Sequence, residues 1–298
     1  MQYVFVTGAT GFVGRAVVHA LCAEGYIARC LVRRGSEGDL QGLGGLERVE
    51  GDVLVRHGLD EDIAGCQAVI HLVGIIREAP TRGVTFENVH TQGTRNVLDA
   101  AIAAGVRRFV HMSALGSRAG APARYHRTKW AAEEAVRGSG LAWTIFRPSI
   151  IYGRGDGFVT MLARMVRRLP VVPVLGTGRG LLQPVPVEQV GEAFARALAR
   201  SVSEKQTYDV AGPDRVTMLE LLDLIGAALG RRRVRKAHVP LSLVRPVARV
   251  LHALPGFPVT PDQLLMLEAN NVGDPAAFYQ HFGIEPLPLR RGIERTLA

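Results

Sequence analysis

Residues 2–24 read QYVFVT (2–7), then Gly8-Ala9-Thr10-Gly11, then FVGRAVVHALCAE (12–24). The first run is β-branched and aromatic, and the last spaces its apolar residues by three and four, so the stretch is a strand, a tight turn and a helix. With Gly14 the turn has the form GxxGxxG. Glycine permits the turn, lets backbone N–H groups reach an anion and lets the helix lie close to the strand, while the helix N-terminus favours negative charge. Gly8, Thr10, Gly11, Phe12, Val13 and Gly14 are therefore the expected cradle of a dinucleotide pyrophosphate.

The same alternation continues outward. YIARCLVR (26–33), QAVIHLV (67–73), RRFVHM (107–112) and LAWTIFR (141–147) read as strands, and 93–105 and 123–138 as helices. Near-continuous apolar strands alternating with helices predict an α/β doubly wound parallel sheet, the Rossmann fold. Beyond about residue 155 prolines punctuate shorter elements, with helices at 188–200 and 217–229 and a strand at 206–211. The expected division is a dinucleotide-binding domain over 1–155, with later strands from parts of 185–212, and a smaller C-terminal α/β cap over 156–298 for substrate or partner.

Composition agrees with a globular chain: 298 residues, 47% hydrophobic and 21% charged, which excludes general disorder. The net charge is +9, with the larger share beyond residue 149, and this favours anionic partners. Cys22, Cys30 and Cys66 form no CxxC pair and have no nearby histidine at ligand spacing, so free thiols in a reducing compartment and no metal site are expected. No basic leader and no apolar run of spanning length is seen, which predicts a cytoplasmic chain, at most peripheral on the cytoplasmic membrane face.

The second strand ends in Arg33-Arg34, where an Asp or Glu would hold the ribose of NAD. Guanidinium groups suit a 2′-phosphate, so NADP(H) is favoured over NAD(H).

TGATGFVG (7–14), Gly51-Asp52-Val53, His71-Leu72-Val73-Gly74, Tyr125 with Lys129, and Arg147-Pro148-Ser149 occur in an order that resembles the extended and atypical short-chain dehydrogenases/reductases, the NAD-dependent epimerase/dehydratase type. The resemblance covers residues 1 to about 230. Within it, HMSALG (111–116) followed by YHRTK (125–129) is similar to the branch holding the alpha-subcomplex subunit 9 accessory protein of respiratory complex I and its bacterial relatives. The resemblance implies adenine near Asp52 and Val53, ribose and pyrophosphate near Leu72, Val73 and Gly74, and nicotinamide near Pro148.

Tyr125 and Lys129 lie four apart, so on a helix they share a face. An ammonium beside a phenol favours the phenolate, and such a pair can exchange a proton with a substrate oxygen while the nicotinamide moves hydride. Lys129 also binds the nicotinamide ribose in the superfamily. Ser113 is the expected group on a substrate carbonyl, although the superfamily's usual hydroxyl position falls on Ala114, and His90 stands where an Asn is usual. His90 reads as a core-edge residue, and His71, His111 and His126 as satisfied structural histidines.

RRRVRK (231–236) followed by the amphipathic 239–254, with Arg245, Arg249 and His252, fits a loop, an anionic membrane surface or a protein partner, and lacks the aromatics that nucleic acid would need. Two functions follow. One is an oxidoreductase acting on a carbonyl, hydroxyl or sugar-nucleotide-like substrate through Tyr125, Lys129 and Ser113. The other is a non-catalytic NADPH-binding accessory or assembly subunit of a complex I-like or other membrane complex. The superfamily resemblance further implies a homodimer face on the helices flanking Tyr125.

Overall fold

A computed structural model describes residues 2–36, 40, 44–251 and 260–298; the side chains of 249–251 lie outside the description, as do His252 and the end of the 239–254 segment. Two compact units emerge, the first made of Met1–Pro148, Val187–Val210 and Pro275–Glu285, the second of Ser149–Pro186, Ala211–Asp274 and Pro286–Ala298. Elements are numbered in chain order through both.

In the first unit, strands β1 (Gln2–Thr7), β2 (Tyr26–Val32), β3 (Leu46–Glu50), β4 (Ala68–His71), β5 (Arg108–Met112), β6 (Ala142–Pro148) and β11 (Gln206–Val210) form one sheet in the order β11-β6-β5-β4-β1-β2-β3. Every pairing is parallel. This is the doubly wound order expected from the alternation, and it reverses direction between β1 and β4. Helices α2 (Leu59–Ile63), α3 (Gly93–Ala103) and α4 (Arg124–Gly138) bury Val97, Leu98 and Val136 with Phe5, Val69, Phe109 and Ile145 on one face. On the other face α1 (Phe12–Ala23) packs on α6 (Val187–Ala197) so closely that a Cβ on Gly191 would fall 2.7 Å from the Ala16 carbonyl oxygen.

The helix α10 (Ala276–Phe282) completes the first unit. Its Phe282 ring meets Phe146 of β6 and Tyr208 of β11 at centroid distances of 5.2 and 5.0 Å. Edge and tilted contacts of this kind bind beyond their buried area. The return of 275–285 to the first unit differs from the division read at residue 155, because two phenylalanines four apart on a seven-residue helix, Phe278 and Phe282, carry no local sign of where they pack.

Strand β5 opens on Arg108, which is buried and bonded on every side: Nη1 donates to Ala142 O at 2.6 Å, and Nη2 reaches Thr144 Oγ1, Ala197 O and Ser203 Oγ at 2.6, 2.9 and 2.9 Å. Burial lowers its pKa to about 10. It ties β5, β6, the end of α6 and the turn before β11 to one planar group.

The second unit pairs β7 (Ile151–Tyr152) with β10 (Val185–Pro186), β8 (Val172–Leu175) with β13 (Lys236–Val239), and β9 (Leu181–Leu182) with β12 (Val216–Thr217). Its helices are α5 (Val159–Arg168), α7 (Met218–Ala228), α8 (Leu241–Leu251), α9 (Pro261–Glu268) and α11 (Leu289–Leu297). Asp156 caps the start of α5 by accepting the Phe158 and Val159 N–H groups at 2.7 and 2.6 Å. Thr217 and Glu220 form a capping box on α7. Leu162, Val166, Val172, Leu221, Ile225 and Ile293 make its core. Among the described residues no helix is long and apolar enough to cross a membrane.

Replacing Arg108 by Leu strands two backbone carbonyls and two hydroxyls in the core. Denaturant unfolding is expected to show a loss of about 2–4 kcal/mol at unchanged m-value, with Arg108→Lys recovering part of it.

Candidate functional site

The turn after β1 is set by what will not fit in it. Gly8 has φ +75°, a left-handed conformation, and a Cβ there would lie 3.2 Å from both Leu72 C and Val73 N. A Cβ on Gly14 would fall 2.1 Å from Gly8 O. The backbone of the turn therefore meets the end of β4 on one side and the first turn of α1 on the other. Gly11 N–H donates to Gly8 O at 3.1 Å, and Gly11 occupies the N-cap with no side-chain cap, so the first N–H groups of α1 at Phe12, Val13 and Gly14 keep the positive end of the helix open to an anion. Thr10 lies half-buried at the crest of the turn.

Arg33 and Arg34, just past β2, are exposed, and neither makes an ion pair among the described residues. Asp52 folds the turn after β3 by accepting Leu54 N–H at 3.0 Å. Val53 is buried against Gly93, and its carbonyl accepts Asn96 Nδ2 at 2.8 Å. Leu72 N–H donates to Thr7 O at 3.1 Å, extending the β1–β4 ladder to the residue before Gly8. Gly74 then faces Lys129 and His90: a Cβ on it would lie 3.5 Å from Lys129 Nζ and 3.7 Å from His90 Nε2.

Lys129 is 2% exposed and donates from Nζ to Met112 O at 2.6 Å. Burial lowers its pKa to about 8, opposed by the Glu133 carboxylate one turn on. Tyr125 shares its helix face, and its ring is held by edge contacts with Phe86, His90 and His126 at 5.9, 5.3 and 5.2 Å. Burial pushes its pKa up to about 12. The phenol is thus protonated at neutral pH, the reverse of the shift that an adjacent ammonium alone would give.

A buried hydrogen-bonded strap underlies the pair. Thr94 Oγ1 donates to His90 O at 2.6 Å, so it accepts from His71 Nε2 at 3.0 Å, and His71 Nδ1 accepts from Thr7 Oγ1 at 2.7 Å. His90 Nε2 lies 3.0 Å from Ile75 N and 3.1 Å from Ile75 O, and Nδ1 lies 2.9 Å from Thr128 Oγ1, so the ring bridges the loop and helix α4 through both nitrogens. Burial lowers the pKa of His71 to about 3 and of His90 to about 2, and both rings are neutral. His90 is therefore a tie between the loop after β4 and helix α4, more than a core-edge residue. His71, stacked on His111 at 5.5 Å, is satisfied as expected. His111 is not: among the described residues both of its buried ring nitrogens lack a hydrogen-bond partner, a cost that keeps the ring neutral.

Ser113 is placed differently from its expected role. Its hydroxyl donates to Glu133 Oε1 at 2.5 Å, inside a cluster in which the fully buried Glu133 also accepts Arg147 Nε and Nη2 at 2.8 and 2.6 Å and Arg137 Nη2 at 2.7 Å. Arg137 and Arg147 in turn lie over the Trp130 ring, 4.9 and 5.6 Å from its centroid. Pro148 ends β6, and its carbonyl accepts Leu115 N–H at 2.9 Å. Glu133 was missed in the sequence although it follows Lys129 by four; its arginine partners stand on another strand and gave no local signal.

Residues 8–172 match the family model described as NAD(P)H-binding. The chain belongs to the NAD(P)H-binding family. Residues 119–253 also match the RmlD substrate binding domain. The chain is 31% identical to the mitochondrial NADH dehydrogenase [ubiquinone] 1 alpha subcomplex subunit 9 of Arabidopsis thaliana over 305 aligned positions, covering 96% of this chain and 74% of that protein. It is 39% identical over 176 positions to ceramide reductase of Caulobacter vibrioides, 58% of this chain and about half (53%) of that protein. In fold it is similar to UDP-glucose 4-epimerase of Thermotoga maritima solved with UDP-glucose, at TM-score 0.78 and 19% identity over 99% of this chain and 97% of the other. The cradle at Gly8 and Gly14 and the uncapped N-terminus of α1 fit the dinucleotide of this NAD(P)H-binding family.

Lys129 makes a testable compromise. With a folded pKa of about 8 against the ordinary 10.5 of a solvated lysine, the native state binds fewer protons than the unfolded chain between those values, so the burden of the buried ammonium is full below pH 8 and fades towards pH 10.5. Lys129→Met is expected to raise stability at pH 7 by on the order of 1–3 kcal/mol, an advantage shrinking above pH 9, while weakening dinucleotide binding tenfold or more; thermal melts across pH and calorimetric titration check both.

Proposed function

We propose that the chain is an NADP(H)-dependent oxidoreductase that reduces a carbonyl group, with Tyr125 as the proton donor and Lys129 as the group that holds the nicotinamide ribose. The observation that carries this reading is the placement of Lys129 Nζ beside Gly74, one helical turn from Tyr125, on the rim where the turn at Gly8 meets Leu72 and Val73. The reduced nicotinamide supplies the hydride. Tyr125, protonated up to pH about 12, donates its phenolic proton to the carbonyl oxygen, and the Lys129 ammonium steadies the phenolate left behind. Gly8, Thr10, Gly11, Phe12, Val13 and Gly14 receive the pyrophosphate, Leu72, Val73 and Gly74 the ribose side, Asp52 and Val53 the adenine, and Pro148 the nicotinamide. Ser113, already donating to Glu133, acts by fixing α4 to the end of β5.

A second reading is favoured by that same hydroxyl. Ser113 donates to Glu133 and Ala114 has no hydroxyl, so neither residue at the end of β5 is arranged to polarise a carbonyl. An accessory subunit that retains NADPH without turning it over fits this arrangement, and the similarity to the complex I subunit supports it.

The readings separate on purified protein. Nucleotide released and identified by mass, followed by absorbance of the reduced nicotinamide against a carbonyl panel, is expected to show exchange and oxidation. Tyr125→Phe should lower turnover at least a hundredfold with Kd for NADPH within threefold; tight, unreacted NADPH throughout supports the accessory reading.

The exposed guanidinium pair at Arg33 and Arg34 supports the 2′-phosphate preference. Replacing both by Ser is expected to weaken NADPH binding 10–100-fold and leave NADH within threefold, measured by fluorescence titration.

A further inference from the structure

The second unit gathers arginines that are far apart in the chain. Helix α5 ends in Arg167 and Arg168, and the loop before β13 carries Arg231, Arg232, Arg233 and Arg235; all six are exposed. Parallel pairing of β8 with β13 brings the two segments side by side: Val172 N–H donates to Arg235 O at 2.8 Å, and Arg231 Nη2 donates to Arg167 O at 2.6 Å. Among the described residues none of the six faces an acidic partner in an ion pair, whereas Lys236 next to them is held by Asp223 at 2.5 Å.

The loop is also fixed in place. Val234 is 7% exposed and wedged against Gly226, where a Cβ would lie 2.3 Å from Val234 Cγ2, and Arg231 N–H donates to Gly226 O at 2.8 Å. With Val234 turned inward, its arginine neighbours stand outward from an anchored base. Between the two basic segments Leu169 and Val171 are exposed, at 37% and 40%.

We infer that this face docks on an anionic lipid bilayer, the arginines meeting headgroup phosphates and Leu169 and Val171 entering the boundary below them. Guanidinium groups bind phosphate oxygens in a fork, clustered cations are drawn to a negative leaflet, and exposed aliphatics add apolar burial. The patch holds no aromatic residue for base stacking, which disfavours nucleic acid. The inference is independent of whether the dinucleotide site turns over.

The test uses the full chain in vesicle sedimentation, with phosphatidylcholine alone and with 30% phosphatidylglycerol. Binding is expected only to the anionic vesicles and is released by 0.5 M salt. Arg167→Gln with Arg168→Gln, and separately the fourfold Arg231, Arg232, Arg233 and Arg235→Gln variant, should each weaken it by ten times or more, at roughly fivefold per arginine. Leu169→Ser with Val171→Ser should weaken it a few-fold, while Arg290→Gln with Arg291→Gln on α11 leaves it unchanged. Retained dinucleotide in every variant reports the fold. Equal binding to neutral vesicles, equal loss in the α11 variant, or competition by duplex RNA or an acidic polypeptide at lower concentration than lipid would overturn the proposal.

Discussion

The carbonyl of Gly8 and the backbone of Gly14 approach within a distance that leaves no volume for a methyl group, and the rest of the first unit is arranged around that approach. It sets how near α1 comes to β1, and through Gly8 it brings the turn against Leu72 and Val73. Strand β4 is thereby the next neighbour of β1, and the sheet reverses its order there. A crevice at the strand ends is the geometric result, and the residues that line it belong to elements which converge for packing reasons alone.

Much of this was legible in the sequence. Strand runs at 2–7, 26–33 and 141–147 and the glycine spacing are local signals, because period and turn chemistry are written in consecutive residues. Tyr125 and Lys129 were visible through their spacing of four. What local pattern does not carry is pairing across distance. Thr7 and His71 stand 64 positions apart, and Ser113 and Glu133 twenty, and each of these residues has an ordinary reading alone. Ser113 shows the limit well: it follows the end of β5 directly, but a buried carboxylate on α4, held by Arg147, decides where its hydroxyl points.

Buried polar groups link the cradle to the Tyr125 helix. Thr7 at the end of β1, His71 at the end of β4, Thr94 on α3, and His90 with Thr128 on α4 form a line of directed hydrogen bonds between neutral groups. Two imidazoles serve because each has one donor and one acceptor when uncharged, and the dry setting keeps them so. The same dryness depresses Lys129 and raises Tyr125, so one environment fixes geometry and protonation together.

The first unit is built from three separated stretches of chain, the last of them α10. During synthesis from the N-terminus, the ring cluster of Phe146, Tyr208 and Phe282 stays incomplete until residue 282 has left the ribosome, long after the strands β1 to β6 are available. Residues 211–274 of the second unit therefore emerge before the first can close. A nascent chain stopped anywhere before α10 therefore carries the Phe146 and Tyr208 rings without their partner Phe282, an open aromatic edge for the quality-control machinery of the cell.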